Sequence, residues 1–182
     1  MNVEFAKLID SAQNILIIQA DNPDGDSLAS SLALEALLFD QGKSVTMYCA
    51  VNIPTYLRHI SGWDRVVNEL PSQFDISIIV DTSSIELLET LTKTGQIAWV
   101  RSKPCVIIDH HSTSPTIDFA STIINEPSAS TGEVIYGLAG ENNWTFDKES
   151  AEYIAYSILF DTLGLSSESV TSKTLHIMAV LS

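Results

Sequence analysis

The sequence predicts an α/β protein, a three-layer αβα fold around a mostly parallel sheet, and three observations carry that reading. Short β-like runs recur at 15–18, 45–49, 76–80 and 105–108, and most are continuously apolar, as strands covered on both faces are. Segments with helical apolar spacing separate them, which implies right-handed βαβ crossovers. Asp or His follows directly on several strand ends, the edge where ligands bind in open sheets of this kind.

Taken in order, Val3, Phe5, Leu8, Ile9 and Ala12 recur at helical spacing before the buried strand 15–18. A polar loop, Asn22-Pro23-Asp24-Gly25-Asp26, leads to a long helix beginning near Ser27, carrying Leu28, Leu32, Leu34, Leu37 and Leu38 and closed by Gly42. A strand is expected at 45–49 and another at 76–80, with Asp81 at its end. A helix should then run through Ile85, Leu87, Leu88 and Leu91 to a stop at Gly95. Residues 95–103 fit neither period. Strand 105–108 is closed by Asp109-His110-His111, and Ile123-Ile124 marks one more strand. Ser130 with Glu133 forms a capping-box pattern opening a helix to about Glu141, and Asp147 opens another to about Phe160, with Asp161 at its end.

Length and composition suit one domain, 1–182, with a substantial core: 182 residues, 45 % hydrophobic, no internal repeat and no long linker. Helical character in 171–181 continues to Ser182 without a Gly or Pro stop, so a longer protein is expected, of which this is the N-terminal part. The formal charge of −14, with only nine Lys and Arg, argues against a grip on extended duplex nucleic acid. An anionic substrate would need a local device, and a divalent cation held by several Asp residues is the natural one. Cys49 and Cys105 lack disulfide or zinc spacing and are expected to be buried. No run approaches the ~18 apolar residues of a membrane span and no signal peptide is present, so a cytoplasmic, membrane-free protein is expected.

Any one of these Asp residues is explained by helix capping or a turn. Their accumulation at four strand or helix ends is not, because two carboxylates ~4 Å apart repel by about 4 kcal/mol at an effective dielectric near 20. A bound cation resolves the conflict.

Four segments together resemble the DHH phosphoesterases over nearly the whole chain: Asn22-Pro23-Asp24-Gly25-Asp26-Ser27, Val80-Asp81-Thr82-Ser83, Ile108-Asp109-His110-His111 and Phe160-Asp161-Thr162-Leu163-Gly164. The spacing is most similar to the oligoribonuclease and adenosine bisphosphate phosphatase branch, through NPDGD and the stretch from Glu126 to Glu133. The resemblance implies two manganese or magnesium ions. Asp81 would bridge them, Asp24 would bind one, and Asp26, His110 and Asp161 would complete the other. His111 would contact the substrate phosphate, and Asp109 would orient the histidines, as outer carboxylates do for metal-bound imidazoles. The implied reaction is attack on phosphorus by a water that two ions activate, on a short oligonucleotide or small nucleotide.

Ala20 stands where the family pattern has a metal-binding histidine, so the first ion is expected to be held weakly or not at all unless Asp21 substitutes. The family's C-terminal substrate domain has no counterpart in these residues. Two other readings stay open: an inorganic pyrophosphatase or cyclic-dinucleotide phosphodiesterase, and a degenerate nucleotide- or metal-binding module with little catalysis. Trp63, Trp99 and Trp144 lack a basic surround and are expected to be packing or surface aromatics rather than base-stacking groups, and His59 and His176 to face solvent. Ser130 is explained by capping, and neither it nor Thr131 enters the expected site.

Overall fold

The chain, seen in a computed structural model, is described over residues 2–182. Its sheet comprises β1 (Asn14–Ile18), β2 (Ser44–Tyr48), β3 (Ile76–Val80), β4 (Cys105–Asp109) and β5 (Thr122–Asn125). All pairings are parallel, in the order β2-β1-β3-β4-β5. The helices are α1 (Val3–Ser11), α2 (Gly25–Asp40), α3 (Glu89–Lys93), α4 (Ile97–Arg101), α5 (Thr131–Glu141), α6 (Lys148–Asp161) and α7 (Ser172–Leu181).

Alternation along the strands builds the two apolar layers. Ile15, Ile17, Ile78 and Val80 face Leu28 and Leu32 of α2, Ile135 of α5 and Ile154 of α6. Leu16, Ile18, Ile79 and Ile107 face Leu88, Leu91 and Val100 on the opposite side. Every residue of β3 and β4 is buried, which is why these strands read as nearly continuous apolar runs, interrupted only by Ser77 and ended by Asp109. Each fully buried Leu or Ile contributes roughly 1.5–3 kcal/mol.

The chain leaves β1 outward to β2 and returns to β3, so the connections after β1 and β3 diverge and open a crevice at the C-terminal edge. The polar ends of β1, β3 and β4 border it.

Several boundaries differ from the sequence reading. The long helix starts at Gly25 rather than near Ser27, because the Asp24 carboxylate caps it by accepting the Ser27 N–H at 2.9 Å. Asp26 therefore projects from the first helical turn and not from a loop. The helix expected through Ile85–Leu91 divides into a 3₁₀ turn, Ile85–Leu88, and α3. Asp21 pins that junction: its N–H donates to the Leu87 carbonyl at 2.8 Å and its carboxylate accepts the Thr90 N–H at 2.7 Å. The ambiguous 95–103 segment contains the five-residue helix α4. The Ser130–Glu133 box is half formed: Ser130 accepts the Glu133 N–H at 3.2 Å, while the Glu133 carboxylate reaches Ala129.

Both cysteines are free and buried. Trp63 and Trp144 pack against the larger apolar layer, Trp99 meets Phe74 edge-on, and His59 and His176 are exposed. Among the described residues no helix is long and apolar enough to cross a membrane.

Candidate metal centre

Four side chains from four elements meet at the crevice. Asp26 comes from the first turn of α2 and Asp81 from the end of β3, His110 follows β4, and Asp161 is the last residue of α6. Asp81 turns into the site through a left-handed backbone, φ 63°, a region Asp tolerates better than most residues. Its N–H stays anchored on the Ile108 carbonyl at 2.9 Å.

His110 is the pivot. Its Nδ1 lies 3.1 Å from the Ser128 carbonyl, which can only accept, so Nδ1 carries the proton. The other nitrogen, Nε2, is buried without a hydrogen-bond partner. It faces Asp161 Oδ2 at 3.4 Å, Asp26 Oδ2 at 3.6 Å and Asp81 Oδ1 at 3.7 Å. Two of these separations exceed hydrogen-bonding length, and the imidazole lone pair and the carboxylates are all electron donors. Asp26, His110 and Asp161 lie close enough to share one ion, and Asp81 groups with His110 and His111, so the donor set fits a divalent metal.

The electrostatics agree. Burial pushes the Asp81 carboxyl well above the usual carboxylate range, and the charges of Asp26 and Asp24 push it further. Burial and Asp26 likewise raise Asp161. Carboxylates so placed are costly until a cation joins them.

The sequence profile described as "DHH family, N-terminal domain" matches residues 14–158. The chain belongs to that family. It is 24 % identical over 184 residues to the "Bifunctional oligoribonuclease and PAP phosphatase NrnA" of Mycoplasma genitalium, covering 98 % of this chain and 55 % of that protein. An exopolyphosphatase-related protein from Bacteroides fragilis superposes with a TM-score of 0.85 at 24 % identity, over 98 % of this chain and 54 % of that one. A structure of the exonuclease RecJ bound to manganese superposes at 0.55 and 14 % identity, over 96 % and 45 % of the two chains. This DHH domain thus spans about half the length of the relatives it matches.

The remaining motif residues surround the four. Asp109 is fully buried, and its Oδ1 accepts the His111 Nδ1–H at 2.7 Å and the His110 backbone N–H at 2.9 Å. Burial alone would push the Asp109 carboxyl up, but hydrogen bonds from His111 and Ser83 outweigh it and hold it below the usual range. The same bond raises His111, whose side chain is half exposed and whose Nδ1 lies 4.0 Å from Asp81 Oδ1. Asp109 orients His111 directly; the His110 ring is oriented by the Ser128 carbonyl instead.

Asp24 is exposed and engaged in capping α2, and it stands in neither group of clustered donors, Asp81-His110-His111 or Asp26-His110-Asp161. The Asp21 carboxylate accepts the Thr90 N–H through Oδ2 at 2.7 Å, and Asp21 likewise stands in neither group.

Three hydroxyl residues outside the expected set support the carboxylates. Thr131 donates its hydroxyl to Asp81 Oδ1 and its N–H to Asp26 Oδ2, both at 2.9 Å. Ser30 donates to Asp26 Oδ1 at 2.9 Å, and Ser157 bonds the same oxygen. A Cβ on Gly132 would lie 2.1 Å from Ser157 Oγ, so glycine is required for this close approach of α5 to α6. The Thr131 N–H belongs to the unpaired first turn of α5, a ready donor to an anion.

Proposed function

We propose that this DHH domain is the metal-dependent hydrolytic part of a phosphoesterase that acts on short oligonucleotides or small nucleotides, using manganese or magnesium. The observation that carries the reading is the buried, unpartnered Nε2 of His110 facing three carboxylates. Asp26, Asp81, His110 and Asp161 would hold one ion, and Asp81 with Asp24 a second, weaker one. Ligation by carboxylate and imidazole without thiolate suits manganese, and the fold is shared with an exonuclease solved with that ion.

Such a cation supplies an activated water and neutralises charge building on the phosphoryl oxygens. The chain's own groups do the rest. His111, with Nδ1 committed to Asp109 and its proton held more firmly than usual, donates from Nε2 to a phosphate oxygen. Beside it lies a cleft of about 430 Å³ lined by Asp81, Asp109, His111 and the hydroxyls of Ser83, Thr113 and Thr116. No lysine or arginine lines this cleft, so compensation of substrate charge falls to the cation and His111.

Assays with manganese on dinucleotides, adenosine bisphosphate, pyrophosphate and cyclic dinucleotides test the reading. Low, weakly selective phosphoesterase activity is expected, strongest on dinucleotides or adenosine bisphosphate. Turnover confined to pyrophosphate or to cyclic dinucleotides would replace this substrate class.

Ala20 favours one alternative, a metal- or nucleotide-binding module with little catalysis. Ala20→His separates the two, although the added ring in a buried position costs about 1–3 kcal/mol of packing strain. A second bound manganese and at least tenfold faster hydrolysis are expected; an inert protein carrying the second ion would support the module.

A further inference from the structure

We propose that Glu133 is a positioning residue for the metal centre, acting through a single peptide unit on the ring of His110. The inference rests on the metal reading above and assigns a role to a residue outside the ligand set. The Ser128 carbonyl and the Ala129 N–H belong to the same peptide plane. Its oxygen meets His110 Nδ1 at 3.1 Å, and its N–H donates to Glu133 Oε2 at 3.1 Å. A carboxylate therefore polarises and aims the peptide that aims the imidazole.

Glu133 is nearly fully buried, so this arrangement needs support, and α7 provides it. Thr174 donates its hydroxyl to Glu133 Oε2 at 3.2 Å, and Lys173 Nζ lies 3.4 Å from Oε1. At its own N–H, Glu133 is fixed by Ser130, whose neighbour Thr131 bonds both Asp26 and Asp81. The consequence for His110 is a choice of tautomer. With the 128–129 peptide held, Nδ1 keeps the proton and Nε2 presents its lone pair to the three carboxylates; with the peptide free to rotate, that preference relaxes. Partners of this kind typically change metal affinity by 10–100-fold when removed.

The test separates reach from charge. Glu133→Asp keeps the charge beside Lys173 but withdraws the carboxylate from Ala129, while Glu133→Gln keeps the length and an acceptor oxygen but loses the charge. In the full chain, manganese affinity measured by titration should fall about 10–100-fold in Glu133→Ala and Glu133→Asp, and less than tenfold in Glu133→Gln. In the metal-free proteins, ¹⁵N signals of His110 should show the Nδ1–H tautomer in wild type and Glu133→Gln, and a tautomer mixture in Glu133→Asp. Should Glu133→Ala fail to fold, Glu133→Asp carries the comparison. Wild-type affinity and an unmixed tautomer in Glu133→Asp, or a larger loss in Glu133→Gln than in Glu133→Asp, overturns the proposal and leaves a plain ion pair with Lys173. Absence of manganese binding in the wild type would instead overturn the metal reading, with the tautomer measurement still deciding the role of Glu133.

Discussion

Asp81→Asn should abolish hydrolysis while making the metal-free protein more stable, two effects of opposite sign from one substitution. Asparagine tolerates the left-handed backbone at this position, φ 63°, and its amide oxygen can still accept from Thr131 Oγ1. Packing and backbone are thus retained, and what changes is charge. Losing the ligand shared by both proposed ions removes several kcal/mol of charge stabilisation, on the order of 10³-fold or more in rate. Removing a buried acid whose ionisation burial and Asp26 both oppose should raise metal-free stability at neutral pH by about 1 kcal/mol or more, which is roughly 2–4 °C in melting temperature per kcal/mol for a chain of this size. Calorimetry and a hydrolysis assay on the same preparation check both signs. A destabilised variant that keeps its activity would contradict the proposed role of Asp81.

Manganese should raise the melting temperature strongly at pH 7 and weakly near pH 5. At a hundredfold excess over its dissociation constant, one bound ion adds about 2.7 kcal/mol, or roughly 5–11 °C here. The pH dependence follows from the raised carboxyls of Asp81 and Asp161. Above the ordinary carboxylate range, ~4, the unfolded chain has released protons that the folded metal-free protein still holds. The stability these two groups lend is therefore present at low pH and lost as pH rises through their folded values. A cation competes with those protons, so its effect grows with pH over the same window. Asp147 and Asp109 run the other way: their carboxyls are held below the usual range, so their contribution is lost only as pH falls below it. The two trends occupy different windows, so scanning melting temperature from pH 4.5 to 8 with and without manganese reads the first free of the second. An equal shift at every pH in that range would show that the ion binds away from the raised pair.

The sheet is readable because its strands are buried on both faces, so Ile15–Ile18 appears as an unbroken apolar run and Ile76–Val80 as one interrupted only by Ser77, and neither needs alternation to be seen. The strand order is not, since parallel pairing leaves no local mark and is decided by which crossovers pack. Helix starts were legible where a side chain does the capping, as at Ser130 and Asp147, and misread where the cap came first in a polar loop, as at Asp24. The divided helix at Ile85–Lys93 has a cause far away in sequence, the hydrogen bonds from Asp21. At the site, Asp81 and Asp161 directly follow apolar residues, while Asp26 and His110 stand out through the likeness of Asn22–Ser27 and Asp109–His111 to the family's motifs. Thr131, Ser157 and Ser128 do not, because hydroxyl residues near helix ends are ordinary caps, and the group that Ser128 contributes is a backbone carbonyl, which no residue type announces.

Diffraction from manganese-soaked crystals, recorded at the manganese absorption edge, tests the central claim most directly. An anomalous peak is expected among Asp26, Asp81, His110 and Asp161, with a fainter second peak beside Asp24 that strengthens in Ala20→His. Density at the edge confined to other carboxylates, or none at all with millimolar manganese in the crystal, would contradict the assignment of these four side chains as a metal centre.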